Sequence, residues 1–300
     1  MKKSLLALAV TLCAAGGLAQ AQSNDTLAKV KAAGKVVIGT RDSSAPLAYT
    51  LGDGKYIGYH VDVCNRIVDA LKADLKLPKL ATEYVQVTSQ NRGSLLVNGT
   101  IDLECGSTTN NKSRQQQVAF APTTYVTNVR IAVKAKSGIN SIADLKGKKV
   151  ATTTGTTSVQ LLRKHERASG VEFDEVFGKD HADSFLLLES GRADAFVMDD
   201  NILAGNIVNA KNPAEFKIVG ETLSEEPIAV MYRKDDPGFK KAVDAAVIAL
   251  MKSGEIEKLY NKWFVSPIPP RNVSVNMPMT ASLKNAIANP NDKPAEDYKK

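Results

Sequence analysis

The stretch SQNRGSLLVNGTIDLECGSTTNNKSR, residues Ser89 to Arg114, places two arginines and several hydroxyls at the ends of two strands. Before it, Leu80–Thr88 (LATEYVQVT) has the alternation and β-branched content of a strand. Asn91–Val97 then fits a short helix closed by Asn98 and Gly99, and Ile101–Cys105 reads as a second strand. Ser89 and Arg92 therefore follow one strand carboxyl end, and Ser107, Thr109 and Arg114 follow another. Open α/β sheets bind ligands at that edge, so these residues are expected to share one crevice. Arginine forks there suit carboxylates, because each guanidinium donates two parallel hydrogen bonds and keeps its charge when partly desolvated.

The same strand-helix alternation runs outward in both directions. Upstream lie a strand at Lys35–Thr40 and a helix at Val61–Leu75; downstream lie Arg130–Lys134, Lys149–Thr153, Val171–Phe177, Ala195–Met198, Phe216–Val219 and Ile228–Arg233 as strands. Helices are expected at Thr157–Ala168, Asp183–Glu189 and Asn201–Ala210, and over a long amphipathic region from Gly238 to Phe264. This order predicts an α/β protein with mainly parallel sheets flanked by helices. An internal echo, Leu96-x-x-Gly99-x-x-Asp102 and Leu188-x-x-Gly191-x-x-Asp194, fits two similarly built lobes. Chain crossings near Tyr125–Val129 and Gly220–Glu226 would make a two-strand hinge over a cleft. The expected division is residues 22–126 with 224–270 for the first lobe, 127–223 for the second, and a tail over 271–300 that wraps the surface.

Other polar groups fall on the same edge. Arg41 follows the strand Lys35–Thr40, making three arginines with Arg92 and Arg114. Thr153-Thr154-Gly155-Thr156-Thr157-Ser158 joins a strand to a helix and forms an anion cradle, though a simple N-cap explains Thr157 or Ser158 as well. Asp199 and Asp200 end a strand, where one can hold an ammonium group while the other caps the helix from Asn201. His181 is expected in the loop before the helix at Asp183, as a further donor or as a solvated histidine.

Composition narrows the classes. Residues 1–21 combine Lys2 and Lys3, an apolar run and Ala19-Gln20-Ala21, the pattern of a cleavable secretory signal. Cys13 follows a bulky Leu12, which disfavours a lipid anchor there. The net charge of +7 falls to 7 − 2 = +5 without Lys2 and Lys3 and lacks a basic stripe, which disfavours nucleic acid. An exported chain makes a Cys64–Cys105 disulfide reasonable, two separately buried thiols being the other reading. Two cysteines and three scattered histidines offer no metal spacing, and no nucleophile elbow, dinucleotide fingerprint or P-loop is present. No catalytic residue, cofactor or metal is therefore expected.

RDSSAP, GYHVDV, TSQNR, LLVNGTIDLECGSTTNNKSRQ, TTTGTTS, KDHADSF, LESGRADAFVMDD, RKDDPGFK, KWFVSPIPP and NPNDK together resemble the glutamate/aspartate-binding members of the bacterial extracellular solute-binding proteins, family 3. The resemblance covers essentially all of the chain after the signal. It implies the two-lobe periplasmic binding protein fold of type II, and a monomer that delivers L-glutamate or L-aspartate to inner-membrane permease subunits of an ABC importer. It also implies that Arg114 and Thr109, with Thr156 or Thr157, receive the α-carboxylate; that Asp199 and Ser107 take the ammonium; and that Arg41, Ser89, Arg92 and His181 face the side-chain carboxylate. An enzyme on the same scaffold, such as a dehydratase, and a ligand-sensing module are the alternatives.

Overall fold

The computed structural model describes residues 25–298, so the leader expected over residues 1–21 lies outside the described residues. In chain order the strands are β1 (Lys35–Thr40), β2 (Ser43–Ser44), β3 (Ala48–Thr50), β4 (Tyr56–Ile57), β5 (Ala81–Gln86), β6 (Leu103–Glu104), β7 (Val118–Phe120) and β8 (Tyr125–Lys134). They continue with β9 (Lys149–Thr153), β10 (Asp174–Gly178), β11 (Ala195–Asp199), β12 (Phe216–Ile228) and β13 (Met231–Arg233). Two five-stranded sheets result, ordered β5-β1-β6-β13-β7 and β10-β9-β11-β8-β12, and a small sheet of β2, β3 and β4 stands beside the first.

In each large sheet only the fourth strand in the order runs against the rest: β13 is antiparallel to β6 and β7, and β8 to β11 and β12. The expected mainly parallel α/β architecture is therefore present in both. The reversed strands have a common origin. Each is the first large-sheet strand reached after the chain passes from one sheet to the other, so it enters from the opposite end. Strands β8 and β12 pair along both passages, from Tyr125 against Ile228 to Val129 against Ser224, with an irregularity before Val219.

The internal echo in the sequence corresponds to one device used twice. The amide of Val37 donates to Asp102 Oδ2 at 2.9 Å, and the amide of Lys149 donates to Asp194 Oδ2, also at 2.9 Å. Each aspartate follows a glycine with positive φ, 80° at Gly99 and 75° at Gly191, where a side chain would be strained. A helix end, a turn and a strand start are locked together in the same way on both sheets.

Burial follows periodicity. The helix Tyr59–Leu75 turns Val63, Cys64, Ile67, Val68 and Leu71 onto the first sheet, at helical spacing. In β8 the period is two: Val129, Ile131 and Val133 enter the core on one face of the second sheet and Ala132 the core on the other. The long amphipathic region is two helices, Pro237–Lys252 and Glu255–Tyr260, because Gly254 adopts a φ of 74° between them. Cys64 and Cys105 form a disulfide, so they are not separate thiols. The bridge ties the helix to the end of β6, two residues before Ser107. The tail is held by the first sheet: Thr123 donates its amide to Asn291 O at 3.0 Å, and Asn110 Nδ2 donates to Asp292 O at 2.9 Å.

Candidate functional site

The two sheets meet across a narrow cavity lined by Ser89, Arg92, Ser107, Thr109, Arg114, Thr156, Thr157, His181, Met198 and Asp199. Every expected ligand residue except Arg41 is on that lining. Ser89 and Arg92 follow β5, Ser107, Thr109 and Arg114 follow β6, Thr156 and Thr157 follow β9, His181 follows β10, and Asp199 ends β11. These are carboxyl ends of strands that run the same way within each sheet, the edge at which the fold places ligands.

Arg41 stands one step behind the lining and is already committed. It is fully buried, forms an ion pair with Asp180, and donates from Nη1 to Ser107 Oγ at 3.3 Å. Asp180 also accepts from Ser43 Oγ at 2.7 Å, and Ser43 Oγ accepts from the amide of Ala182 at 3.2 Å. This knot joins the first sheet's side of the cavity to the second. Burial raises the Asp180 pKa, but Arg41, His181 and Ser43 together outweigh it and the carboxyl is held below its ordinary value. Asp180 is also the N-cap residue of the helix His181–Glu189 without a side-chain capping bond, since its carboxylate is turned to Arg41 and Ser43. His181 is consequently the first helical residue and not a loop residue as the sequence suggests.

Close approach of backbones closes the rest. A Cβ on Gly155, whose φ is +81°, would lie 2.8 Å from Gln90 Cα, and one on Gly205 would lie 2.3 Å from Ala45 O. Only glycine lets the loop after β9 and the helix Asp200–Asn209 approach the first sheet's loops so closely.

Two guanidiniums remain without a carboxylate partner in hydrogen-bond contact. Arg92 is buried with Nη1 unpartnered, and Arg114 donates only to carbonyls, Thr109 O at 2.7 Å and Gly155 O at 3.4 Å. Burial pushes the Arg92 pKa down to about 9, and Arg114 adds to the shift. Arg114 is lowered by its own burial, against the pull of Glu226 and Glu104. Beside Arg92, Ser89 Oγ and His181 Nε2 are also buried and unpartnered. Buried polar atoms are rarely left so, because each costs about 1–3 kcal/mol. Three such atoms in one wall can donate together to a single acceptor group.

Asp199 supplies the opposite charge. It occupies the N-cap position of the helix Asp200–Asn209 but makes no side-chain capping bond; Asp200 instead accepts from the amide of Asn201 at 2.8 Å and from Thr127 Oγ1 at 3.0 Å. Of the alternatives for this pair, Asp200 is the one tied to backbone and hinge, and Asp199 faces the cavity. Burial, then Glu226 and Asp200, hold the Asp199 carboxyl well above its usual pKa. A cation beside it would reverse that shift.

His181 is a neutral donor here. Burial, reinforced by Arg41, pushes its pKa down to about 3. Thr153 Oγ1 lies 2.9 Å from Nδ1; with that hydroxyl donating, Nε2 carries the proton and faces the cavity. Behind the site His60, bonded to Gly106 O and Thr124 Oγ1, is likewise pushed down by burial, to about 4. Depressed histidines bind more protons unfolded than folded between these values and 6.5, so the stability they contribute is present at neutral pH and lost as pH falls through that window. For His60 the loss is about 3 kcal/mol by pH 4. Urea unfolding of the ligand-free protein at a series of pH values from 7 to about 4 is expected to show falling stability, with a shallower fall for His60→Gln. Parallel slopes for the two proteins would remove His60 from the account.

The charge inventory departs from the sequence reading of three arginines answered by one aspartate. Asp180, Glu104 and Glu226 are further carboxylates of the site that the sequence reading does not single out. Glu104 is fully buried and accepts from Thr108 Oγ1 at 2.6 Å. Glu226 accepts from Thr109 Oγ1 at 2.6 Å and Thr157 Oγ1 at 2.8 Å. A signal for Glu226 exists: it is two residues from Ile228 on one strand, hence on the same face as a fully buried residue. Met198, also on the lining, reads in the sequence only as an apolar position of its strand.

Residues 36–266 match the family described as bacterial extracellular solute-binding proteins, family 3. The glutamate/aspartate import solute-binding protein of Escherichia coli K12 is 44% identical over 97% of this chain and 96% of its own length. The L-glutamate/L-aspartate-binding protein of Pseudomonas aeruginosa is 46% identical over 90% of each. Among solved structures, the ancestral amino acid-binding protein AncCDT-1, a precursor of cyclohexadienyl dehydratase, aligns with a TM-score of 0.69 at 26% identity, over 80% of this chain and 99% of that one.

Proposed function

The chain belongs to the bacterial extracellular solute-binding proteins, family 3, and from that membership we propose that it captures L-glutamate or L-aspartate between its two sheets and hands it to the permease of an ABC importer. We take residues 22–126 with 224–270 and residues 127–223 as the two lobes that clamp the ligand, 271–300 as a strap on the first, and 1–21 as the leader that directs a monomer to the periplasm.

The observation that carries the reading is the set of charges left over once internal pairs are counted. Arg41 is neutralised by Asp180, and Glu104 and Glu226 stand behind the lining on threonine hydroxyls, which leaves Arg92, Arg114 and Asp199 as the charges on the lining itself without a hydrogen-bonded ion partner. An acidic amino acid has two carboxylates and one ammonium, and answers all three. Its side-chain carboxylate would lie against Ser89, Arg92 and His181 Nε2, with Arg41 behind; its α-carboxylate against Arg114 and the amino end of the helix Thr157–Ser169; its ammonium against Asp199, assisted by Ser107. A neutral amino acid would leave Arg92 desolvated and unpaired, which disfavours glutamine.

We read the protein as a binder, not an enzyme. Thr156 donates to Thr153 O, and His181 meets Thr153 through Nδ1 while its Nε2 has no protein partner, so the histidine on the lining is not hydrogen-bonded to a lining hydroxyl that it could activate. Relatives named as glutamate/aspartate-binding proteins support the same reading, while the dehydratase-precursor neighbour shares the scaffold without deciding the chemistry.

Native mass spectrometry of freshly purified protein is expected to show one copurified acidic amino acid, released chemically unchanged on denaturation. An empty protein that also shows no heat of binding with glutamate or aspartate, or recovery of a converted product, would overturn the proposal.

A further inference from the structure

Glu226 is 4% exposed and absent from the cavity lining, yet its Oε2 accepts hydrogen bonds from two residues on that lining. Thr109 Oγ1 donates to it at 2.6 Å from the loop after β6, and Thr157 Oγ1 at 2.8 Å from the start of the helix after β9. Glu226 itself lies on β12, paired with Thr127 of β8, where the chain passes between the sheets. One carboxylate oxygen on a connecting strand thus holds a hydroxyl from each side of the cavity.

A hydroxyl has a single proton. Once Thr109 and Thr157 have given theirs to Glu226, each oxygen can only accept from the ligand. Both lie on the same lining as the Asp199 carboxylate, so three acceptors there can take one ammonium, while Arg114, which donates to Thr109 O and Gly155 O, and the first amides of the helix Thr157–Ser169 stay as donors to the α-carboxylate carried on the same carbon. Of the other lining residues, Arg92, Ser89 and His181 retain unpartnered atoms that can donate to the second carboxylate. While it donates to Glu226 the Thr109 hydroxyl cannot also donate to a carboxylate, so the part that the family resemblance gives Thr109 beside Arg114 falls to its backbone amide.

We propose that Glu226 is a positioning residue that fixes the Thr109 and Thr157 hydroxyls as acceptors for the ligand's ammonium, so that the site selects dicarboxylates bearing an amine over the same dicarboxylates without one. The inference rests on the reading of the ligand as an acidic amino acid and adds to it the group that enforces the amine. Glu226 acts through the two hydroxyls and through its charge and does not touch the ligand. A role confined to holding the sheets together would weaken all ligands alike, which separates the two ideas.

The test is calorimetric titration of the ligand-free full protein with L-glutamate and with glutarate, the same carbon chain lacking the amine. Parent protein is expected to prefer glutamate strongly. In Glu226→Gln glutamate affinity is expected to fall at least tenfold and glutarate affinity less than threefold, so that the preference contracts. Thr157→Val, which keeps Glu226 and removes one acceptor, is expected to contract it in the same direction by at least threefold. Proportional losses for both ligands, or unchanged preference in both variants, overturn the proposal. If Glu226→Gln shows no cooperative unfolding transition, the Thr157→Val preference alone decides it. A parent protein that binds neither glutamate nor aspartate overturns the acidic amino acid reading itself, whereas a parent that binds glutamate with uniform losses in the variants overturns only the role of Glu226.

Discussion

Replacing Asp199 by Asn is expected to weaken glutamate binding by more than a hundredfold and, in the same protein, to raise the unfolding temperature of the ligand-free form at pH 7. The first effect follows from removing one partner of a desolvated charge pair, which costs about 2–5 kcal/mol where every 1.4 kcal/mol is tenfold. The second follows from the environment of the empty carboxyl. Burial, Glu226 and Asp200 raise its folded pKa well above the unfolded value. A group raised in this way contributes stability that is fully present below the unfolded pKa and is lost as pH rises through the folded one. Asparagine has no charge to lose, so the unfolding temperature of the variant is expected to depend less on pH above about 4. Calorimetry of binding and a thermal unfolding series across pH check both halves. A variant that binds glutamate as its parent does would remove Asp199 from the site.

Arg92→Met is the complementary case. Glutamate affinity is expected to drop by roughly a hundredfold, as for any buried charge pair cut at one end, and the preference for glutamate over glutamine is expected to shrink with it. Lys252→Ala, on the last turn of the helix Pro237–Lys252 and exposed, is expected to change neither. Met keeps most of the Arg92 volume while removing a guanidinium whose folded pKa is pushed from 12.5 to about 9. Below that folded value the protein bears the cost of a desolvated cation, on the order of 5 kcal/mol at pH 7. The ligand-free variant should therefore unfold at a higher temperature than its parent, since replacing a poorly compensated buried charge by an apolar side chain is often stabilising. Equal glutamate and glutamine affinities in the parent, or an unaltered ratio in Arg92→Met, would show that this guanidinium does not discriminate between them.

Both substitutions trade binding for stability. The empty cavity holds charges that the fold alone does not satisfy, and the ligand satisfies them. Binding sites commonly carry such a penalty, and it is the reason an acidic amino acid would stabilise this protein against unfolding.

Much of this is legible in the chain alone. Arg92, Thr109, Arg114, Thr157, His181 and Asp199 stand at strand carboxyl ends that alternation and turn residues locate within a residue or two. The repeated glycine-aspartate turns foretell two sheets of the same construction. Local chemistry also limits the helix ends, although Gly254 divides the region from Gly238 to Phe264 and Asp180 draws His181 into a helix.

Asp180 and Glu104 are not legible as parts of the site, and Glu226 only as an inward position of its strand, because an acidic residue in KDH, LEC or SEEP reads as a solvated charge until its neighbours in space are known. The chain alone conveys most strands of the two large sheets and the helices between them, though not β7 or the small sheet of β2, β3 and β4, together with the edge of each sheet that faces a ligand and the kinds of charge brought there. Which of those charges are spent within the protein follows from the folded arrangement, which pairs Arg41 with Asp180 across 139 positions and two threonines with Glu226. The physical reason is that side-chain periodicity is set by neighbours along the chain, whereas Coulomb and hydrogen-bond energies depend on separation in space and on the exclusion of water, which are defined only once the sheets have come together.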